Sequence, residues 1–246
     1  RSGGHGGVSH IMRKYHVHGY RRAFHPQAPA WVDDVPAFRA LRDGLDLRRP
    51  ITLFTGENGV GKSTLLEGIA VSCGFNARGG AFGEEMSGRE NPLRYAATLL
   101  RGPLAMNGHF LRAEAHYEVA REYNRTHDTD LYTLSHGESV LRIVQDSFHG
   151  AGLFLLDEPE SGLSLIRQMT LLAELHQIAE AGAQLIIATH SPVLLALPGA
   201  RILEFTADGG ILENIGVEET TAYRALRDFL ADPHDIADYM VEVTGS

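Results

Sequence analysis

The nine residues GENGVGKST, Gly56 to Thr64, constrain this chain more than any other stretch. They follow the apolar run PITLFT and carry the spacing G-x-x-x-x-G-K-[ST], a glycine-rich turn whose backbone N–H groups wrap phosphates at the start of a helix. ITLF reads as a short buried strand. Ser63 to Ser72, with Leu65, Leu66, Ile69 and Ala70 apolar, reads as the helix that the phosphates would cap. Strand, glycine-rich loop and helix together are the context the spacing requires. Lysine usage points the same way: the chain has only Lys14 and Lys62, and Lys62 lies in the loop. A compact ammonium reaches between β- and γ-phosphates where a broad guanidinium would not fit.

A chain of 246 residues suffices for one large α/β domain with a substantial core. Its single cysteine, Cys73, excludes an internal disulfide framework and fits a reducing, cytoplasmic setting. Cys73 sits in GIAVSCGF, the apolar end of a helix, and reads as core packing. No apolar run approaches the roughly 18 residues that span a bilayer, so no membrane insertion is expected. Residues 1–10, RSGGHGGVSH, read as a flexible leader, and 11–246 as a single domain. His5, His10, His16 and His18 close no metal-ligand set. The net charge of −9 argues against a uniformly cationic nucleic-acid surface. Arg21, Arg22, Arg39, Arg42, Arg48 and Arg49 read either as a local basic patch or as dispersed, solvated side chains.

Along the chain, YHVHGY alternates as a strand and PAFRALRDGL has helical spacing. NARGGAFGEEMSGREN reads as a loop, followed by a helix PLRYAATLL, a strand HFLRAEAHY and a charged helix EVAREYN. Residues 76–149 are therefore expected to hold a small, mainly helical insertion. Beyond it come a helix from Gly137, a strand GLFLLD, a helix over Leu163 to Glu180, a strand AQLIIAT and a short helix PVLLAL. A strand ARILEF, a hairpin TADGGILEN and the helices TTAYRALRDFL and HDIADYMVEV complete the chain. Such alternation predicts a mostly parallel sheet covered by helices on both faces.

Three further stretches carry chemistry. In GLFLLDEPE, Leu153 to Leu156 form a strand buried on both faces, and Asp157 and Glu158 arrive at its C-terminal end, where open α/β sheets place ligands. Asp157 with the Ser63 hydroxyl suits the Mg²⁺ shell, and Glu158 suits polarisation of an attacking water. In LSHGES, Ser135 can cap a helix in a capping box with Glu138, and the same helix start can bind an anion. In IIATHSP, His190 stands just past another buried strand and can reach the edge that holds Asp157 and Glu158.

In this order the motifs resemble those of the ATP-binding-cassette (ABC) ATPase superfamily. GENGVGKST is similar to its Walker A, LSHGES to its signature, LFLLDEPE to its Walker B, SGLS (Ser161 to Ser164) to its D-loop and THSP to its histidine switch. With FLRAE and the late DFLADP, the chain looks most like small stand-alone bacterial ATPases with SMC-like motifs. The resemblance implies an α/β P-loop NTPase fold of ABC cassette type, with ATP and Mg²⁺ as cofactors. It implies phosphate contacts from Gly56, Asn58, Gly59, Val60, Gly61, Lys62, Ser63 and Thr64, with Lys62, Glu158 and His190 in catalysis and Ser63 and Asp157 on the metal. It also implies an ATP-dependent head-to-tail homodimer in which Ser135 and Gly137 close over the partner's nucleotide.

Three departures stand out. No glutamine occurs between the Walker A helix and the signature, so Glu114 is either the substitute for the family's Q-loop residue or a plain strand residue. Ser164 replaces the common D-loop aspartate, and His136 the first signature glycine. Tyr20, Phe24 and Phe38 are candidates for stacking on adenine or for the core. The expected function is a non-transport ATPase switch working with nucleic acid or a partner protein; the alternatives are the motor subunit of a membrane transporter and a scaffold with negligible turnover.

Overall fold

The computed structural model describes residues 14–83, 90–112 and 136–244. In chain order the elements are β1 (Val17–Arg22), α1 (Pro36–Arg39), β2 (Leu45–Asp46), β3 (Ile51–Gly56), α2 (Lys62–Cys73), β4 (Gly80–Ala81), β5 (Ala97–Arg101) and β6 (Gly108–Arg112). After them come α3 (His136–Ser147), β7 (Leu153–Asp157), α4 (Leu165–Glu180), β8 (Gln184–Ala188), α5 (Pro192–Leu195), β9 (Arg201–Phe205), β10 (Ile211–Glu213), α6 (Thr221–Ala231) and α7 (Pro233–Thr244).

Seven strands form the main sheet in the order β10-β9-β3-β8-β7-β6-β4. The five inner strands are parallel, and β10 and β4 run antiparallel at the two edges. The apolar runs explain this arrangement: every residue of β3, β7 and β8 is buried, as a strand covered on both faces requires. Side-chain alternation then divides the core in two. Phe54, Leu153, Leu155, Ile186 and Ala188 pack with α2, α1 and the small sheet on one face. Leu53, Phe154, Leu156, Leu185 and Ile187 pack with α3, α4 and α5 on the other. The phosphate-loop helix and the helix opened by LSHGES therefore lie on opposite faces.

A separate antiparallel sheet, β2-β1-β5, sits on the α2 side. The Gln184 side chain ties the two sheets together. Its Oε1 accepts from the His16 and Val17 amides at 3.0 Å each, and its Nε2 donates to the Val17 and Leu47 carbonyls at 2.8 and 2.7 Å. A fully bonded buried amide of this kind offsets its own desolvation.

The region 76–149 differs from the helical insertion expected of it. PLRYAATLL is not a helix: Pro92–Tyr95 form one 3₁₀ turn and Ala97–Arg101 form β5, paired antiparallel with β1. The open edge of β1 overrides the local helical spacing, since pairing satisfies backbone groups on both strands. HFLRAEAHY begins as expected, but as β6 within the main sheet, Arg112 opposite Asp157. EVAREYN lies outside the described residues. The remaining elements from α3 to α7 match the sequence reading, the hairpin of β9 and β10 included.

Candidate active site

β3 ends at Gly56, and the loop that follows folds because glycine occupies its sharp positions. Gly56 has φ +130°, and a Cβ there would strike the Phe205 carbonyl. Gly61, the residue before α2, has φ +95° and faces the Val35 Cγ1 methyl. The Val60 carbonyl accepts from the Ala37 amide at 2.8 Å, so the segment leading into α1 braces the loop from outside. Lys62 opens α2 and is only 4 % exposed. Its Nζ donates to the Gly56 and Glu57 carbonyls, both at 2.9 Å. Burial holds the Lys62 ammonium below its usual pKa, while Glu158, Asp157 and Glu160 pull it back up.

β7 delivers the acids on the same edge, two strands away across β8. Asp157 is 5 % exposed, and the Arg112 Nε lies 3.9 Å from its Oδ2. Arg112 Nη1 also donates to Glu67 Oε2 on α2 at 2.8 Å and to the Ala77 carbonyl at 2.9 Å. Glu158 takes φ +48°, a left-handed conformation that is uncommon outside glycine and marks an imposed local geometry. Its amide donates to the Ala188 carbonyl at 2.9 Å, extending the β7–β8 ladder by one rung. This conformation leaves Glu158 Oε1 3.4 Å from His190 Nε2. Burial, and then the nearby Lys62, hold His190 below its ordinary pKa against the opposing pull of Glu158.

Glu160 was not singled out by the sequence reading, although its position, with Glu158 on the other side of Pro159, was a usable signal. Its Oε1 accepts from Thr189 Oγ1 at 2.6 Å, from the His190 amide at 2.7 Å and from the Ser191 amide at 3.1 Å. Burial pushes its carboxyl upward, and the Thr189 hydroxyl is the largest force against this. Ser191 in turn caps α5 and donates its hydroxyl to Gln168 Oε1 on α4 at 2.6 Å.

The structure thus brings together the loop Gly56, Asn58, Gly59, Val60, Gly61, Lys62, Ser63 and Thr64 with Asp157, Glu158 and His190, all at the C-terminal ends of adjacent parallel strands. Ser135 and Glu114 lie outside the described residues. Gly137 falls in the first turn of α3, on the far face of the sheet. Of the aromatic candidates, Tyr20 and Phe38 are fully buried and closed to a base, and Phe24 is 93 % exposed. Trp31, absent from those candidates, is 49 % exposed in the short helix Ala30–Asp34 that leads into the segment bracing the loop. Among the described residues no group of three or more His, Cys, Asp or Glu is placed to hold a metal by itself. One hydroxyl and one carboxylate, Ser63 and Asp157, are hard oxygen donors of the kind that bind Mg²⁺ jointly with substrate phosphates, so the residues fit that ion.

A glycine-rich loop between strand and helix, with acids ending a parallel strand one removed in the same sheet, defines a P-loop NTPase domain. Two family models agree: "AAA domain, putative AbiEii toxin, Type IV TA system" matches residues 87–196, and "AAA domain" matches residues 37–132. The fold is that of a chain in a structure described as "An inward-facing conformation of a putative metal-chelate type ABC transporter", 18 % identical, TM-score 0.51, covering 87 % of this chain and 88 % of that one. The ABC transporter G family member STR2 of Petunia hybrida is 30 % identical over 169 residues, 58 % of this chain and 24 % of that protein. An ABC transporter ATP-binding/permease protein of Mycobacterium tuberculosis is 28 % identical over 236 residues, 81 % of this chain and 27 % of that protein. The chain spans about a quarter of the length of these curated relatives. Within the P-loop NTPase class, the fold is the one this chain shares with that inward-facing ABC transporter chain.

Proposed function

We propose that this chain binds ATP with Mg²⁺, hydrolyses it, and uses the cycle as a homodimeric switch linked to nucleic acid or a partner protein. The observation that carries the hydrolytic reading is the approach of His190 Nε2 to within 3.4 Å of Glu158 Oε1, with Lys62 drawn electrostatically toward Asp157, Glu158 and Glu160. An ammonium has three N–H donors. Two of those on Lys62 are spent on the Gly56 and Glu57 carbonyls, which aims the third at a phosphate cradled by the loop amides and the start of α2. Ser63 and Asp157 would hold Mg²⁺, which when bound neutralises charge on the phosphate oxygens. Glu158 accepts a proton from water as that water attacks the γ-phosphorus and the bond to the β-phosphate oxygen breaks, releasing ADP and phosphate. His190, whose charged form burial disfavours, donates an N–H toward the transferring phosphate. We assign adenine stacking to Trp31, half-exposed in the short helix ahead of the segment that braces the loop.

Dimerisation is supported by the placement of α3 on the sheet face opposite the phosphate-loop helix. The non-transport reading is supported by the lack of any glutamine between α2 and α3, and by the toxin–antitoxin description of one matching family. The curated relatives, which are transporters, support the motor-subunit reading instead. Steady-state ATPase assays test the proposal. Lys62→Ala should lose ATP affinity, whereas Glu158→Gln should bind ATP normally and turn over about 10²- to 10⁴-fold more slowly, the usual contribution of a general base. Equal loss of binding in both variants would contradict the assigned roles. Stimulation by DNA, RNA or a co-purified protein favours the switch, and stimulation only by a membrane permease favours the motor.

A further inference from the structure

We infer that Glu160 is a positioning residue that fixes the His190 loop against Glu158, acting through the loop backbone and not on the nucleotide; this rests on the hydrolytic reading above. Glu158 and Glu160 share one turn. The Ser161 amide donates to the Glu158 carbonyl at 3.0 Å and the Leu163 amide to the Glu160 carbonyl at 2.9 Å. From this turn the Glu160 side chain crosses to the end of β8, where one oxygen accepts from three consecutive residues, Thr189, His190 and Ser191. Its other oxygen, Oε2, is buried and takes no hydrogen bond among the described residues.

That asymmetry separates a clamp from simple filling. An apolar side chain would occupy the same space without the cost of withdrawing a carboxylate from water. What the carboxylate adds is a single acceptor on which the backbone around His190 converges. Gln168 holds the loop from a second side, accepting from Ser191 Oγ and donating to the Leu163 carbonyl at 3.1 Å, where the turn carrying Glu158 ends. Movement of the His190 loop relative to the base must break one of these contacts. The carboxylate thus sets the separation of the two groups, and its removal lowers turnover with little effect on ATP affinity.

Because all three donors meet one oxygen, glutamine can replace the acceptor and alanine cannot. The test measures kcat, ATP affinity and hydrogen exchange of the His190 and Ser191 amides in wild type, Glu160→Ala and Glu160→Gln. Glu160→Ala should lower kcat by about 10- to 100-fold, the range for residues that orient catalytic groups, with ATP affinity within about threefold of wild type. Its His190 and Ser191 amides should exchange faster, and Glu160→Gln should recover most of kcat and of the protection. If Glu160→Ala does not fold, Thr189→Val, which removes one of the three donors, should show the same split in milder form. A kcat unchanged in Glu160→Ala, or in Thr189→Val, overturns the inference, as does a Gln variant as impaired as the Ala variant. A wild-type chain that binds ATP but never hydrolyses it overturns the hydrolytic reading itself, and the inference with it.

Discussion

Acid should weaken this fold through His109. The residue lies in β6 opposite Phe154 of β7, its ring 5.5 Å from that of Phe148, and its Nε2 is buried without a hydrogen-bond partner among the described residues. Burial pushes its pKa down to about 4 from an ordinary 6.5. Between those values the unfolded chain takes up a proton that the folded chain refuses, so stability is intact above about pH 6.5 and falls as pH drops toward about 4. At about 1.4 kcal/mol per pH unit, the window amounts to on the order of 3 kcal/mol, a large share of the 5–15 kcal/mol typical of a domain. Urea unfolding of wild type and His109→Leu at pH values from about 7 to about 4.5 isolates the contribution of His109, because every other ionisable group is common to both proteins. The substitution shifts stability by some constant amount; the slope is what carries the argument. Wild type should lose about 2–3 kcal/mol more than the variant across the range. Parallel curves would refute the reasoning, since they would mean that His109 protonates in the folded chain without penalty.

Three further substitutions probe the nucleotide cradle. Gly61→Ala puts a methyl against Val35 Cγ1 at φ +95°, so it should cost about 1–3 kcal/mol of stability and raise the Kd for ATP, while Gly59→Ala, whose Cβ would meet no atom within 4 Å, should be milder; thermal melts and ATP titrations distinguish the two. Trp31 is the only tryptophan, so intrinsic fluorescence reads it directly. ATP should change that emission, and Trp31→Ala should raise the Kd for ATP about 5- to 150-fold, the equivalent of about 1–3 kcal/mol of stacking. Unchanged emission at saturating ATP would remove Trp31 from the site.

What was legible in the sequence was whatever is local along the chain. The phosphate loop, the buried strands β3, β7 and β8 and the acids at the end of β7 follow from apolar runs and glycine spacing, which act within a few residues. What was not legible depends on partners distant in sequence. PLRYAATLL has helical spacing yet is half strand, because β1 offers it an edge more than seventy residues upstream. Glu160 looks like a solvated acid in DEPE until β8 folds beside β7 and three donors converge on it. Tyr20 and Phe38 were equivalent to any aromatic upstream of the loop until the core closed over them. Trp31 stayed exposed because its short helix buries Val32 and turns the indole outward.

The layering of the sheet also bears on whether one chain can complete its own site. Lys62 opens a helix on the face that carries Phe54, Leu155 and Ile186, and α3 packs on the face that carries Leu53, Phe154 and Leu185. The start of α3 therefore lies on the other face of the sheet from α2, beside the start of α4, where Arg167 pairs with Glu138 at 2.8 Å, and the trans arrangement would have a second copy present its own α3 start to the loop. Mixing two inactive chains tests this. Lys62→Ala removes the phosphate grip but leaves the signature intact, and Ser135→Arg does the reverse by placing a bulky cation just before α3. If Ser135 only caps its own helix, the arginine variant should lose at most about 2 kcal/mol of stability and keep its ATPase rate. If it closes over the partner's ATP, that variant should bind ATP at its own Lys62 yet turn none over. A mixed dimer would then hold one site with both an intact loop and an intact signature. Activity should return on mixing, up to about a quarter of the wild-type rate if partners assort at random and one site can fire alone. A Ser135→Arg chain that hydrolyses ATP at the wild-type rate would exclude the shared site and leave the chain hydrolysing ATP as a self-sufficient unit.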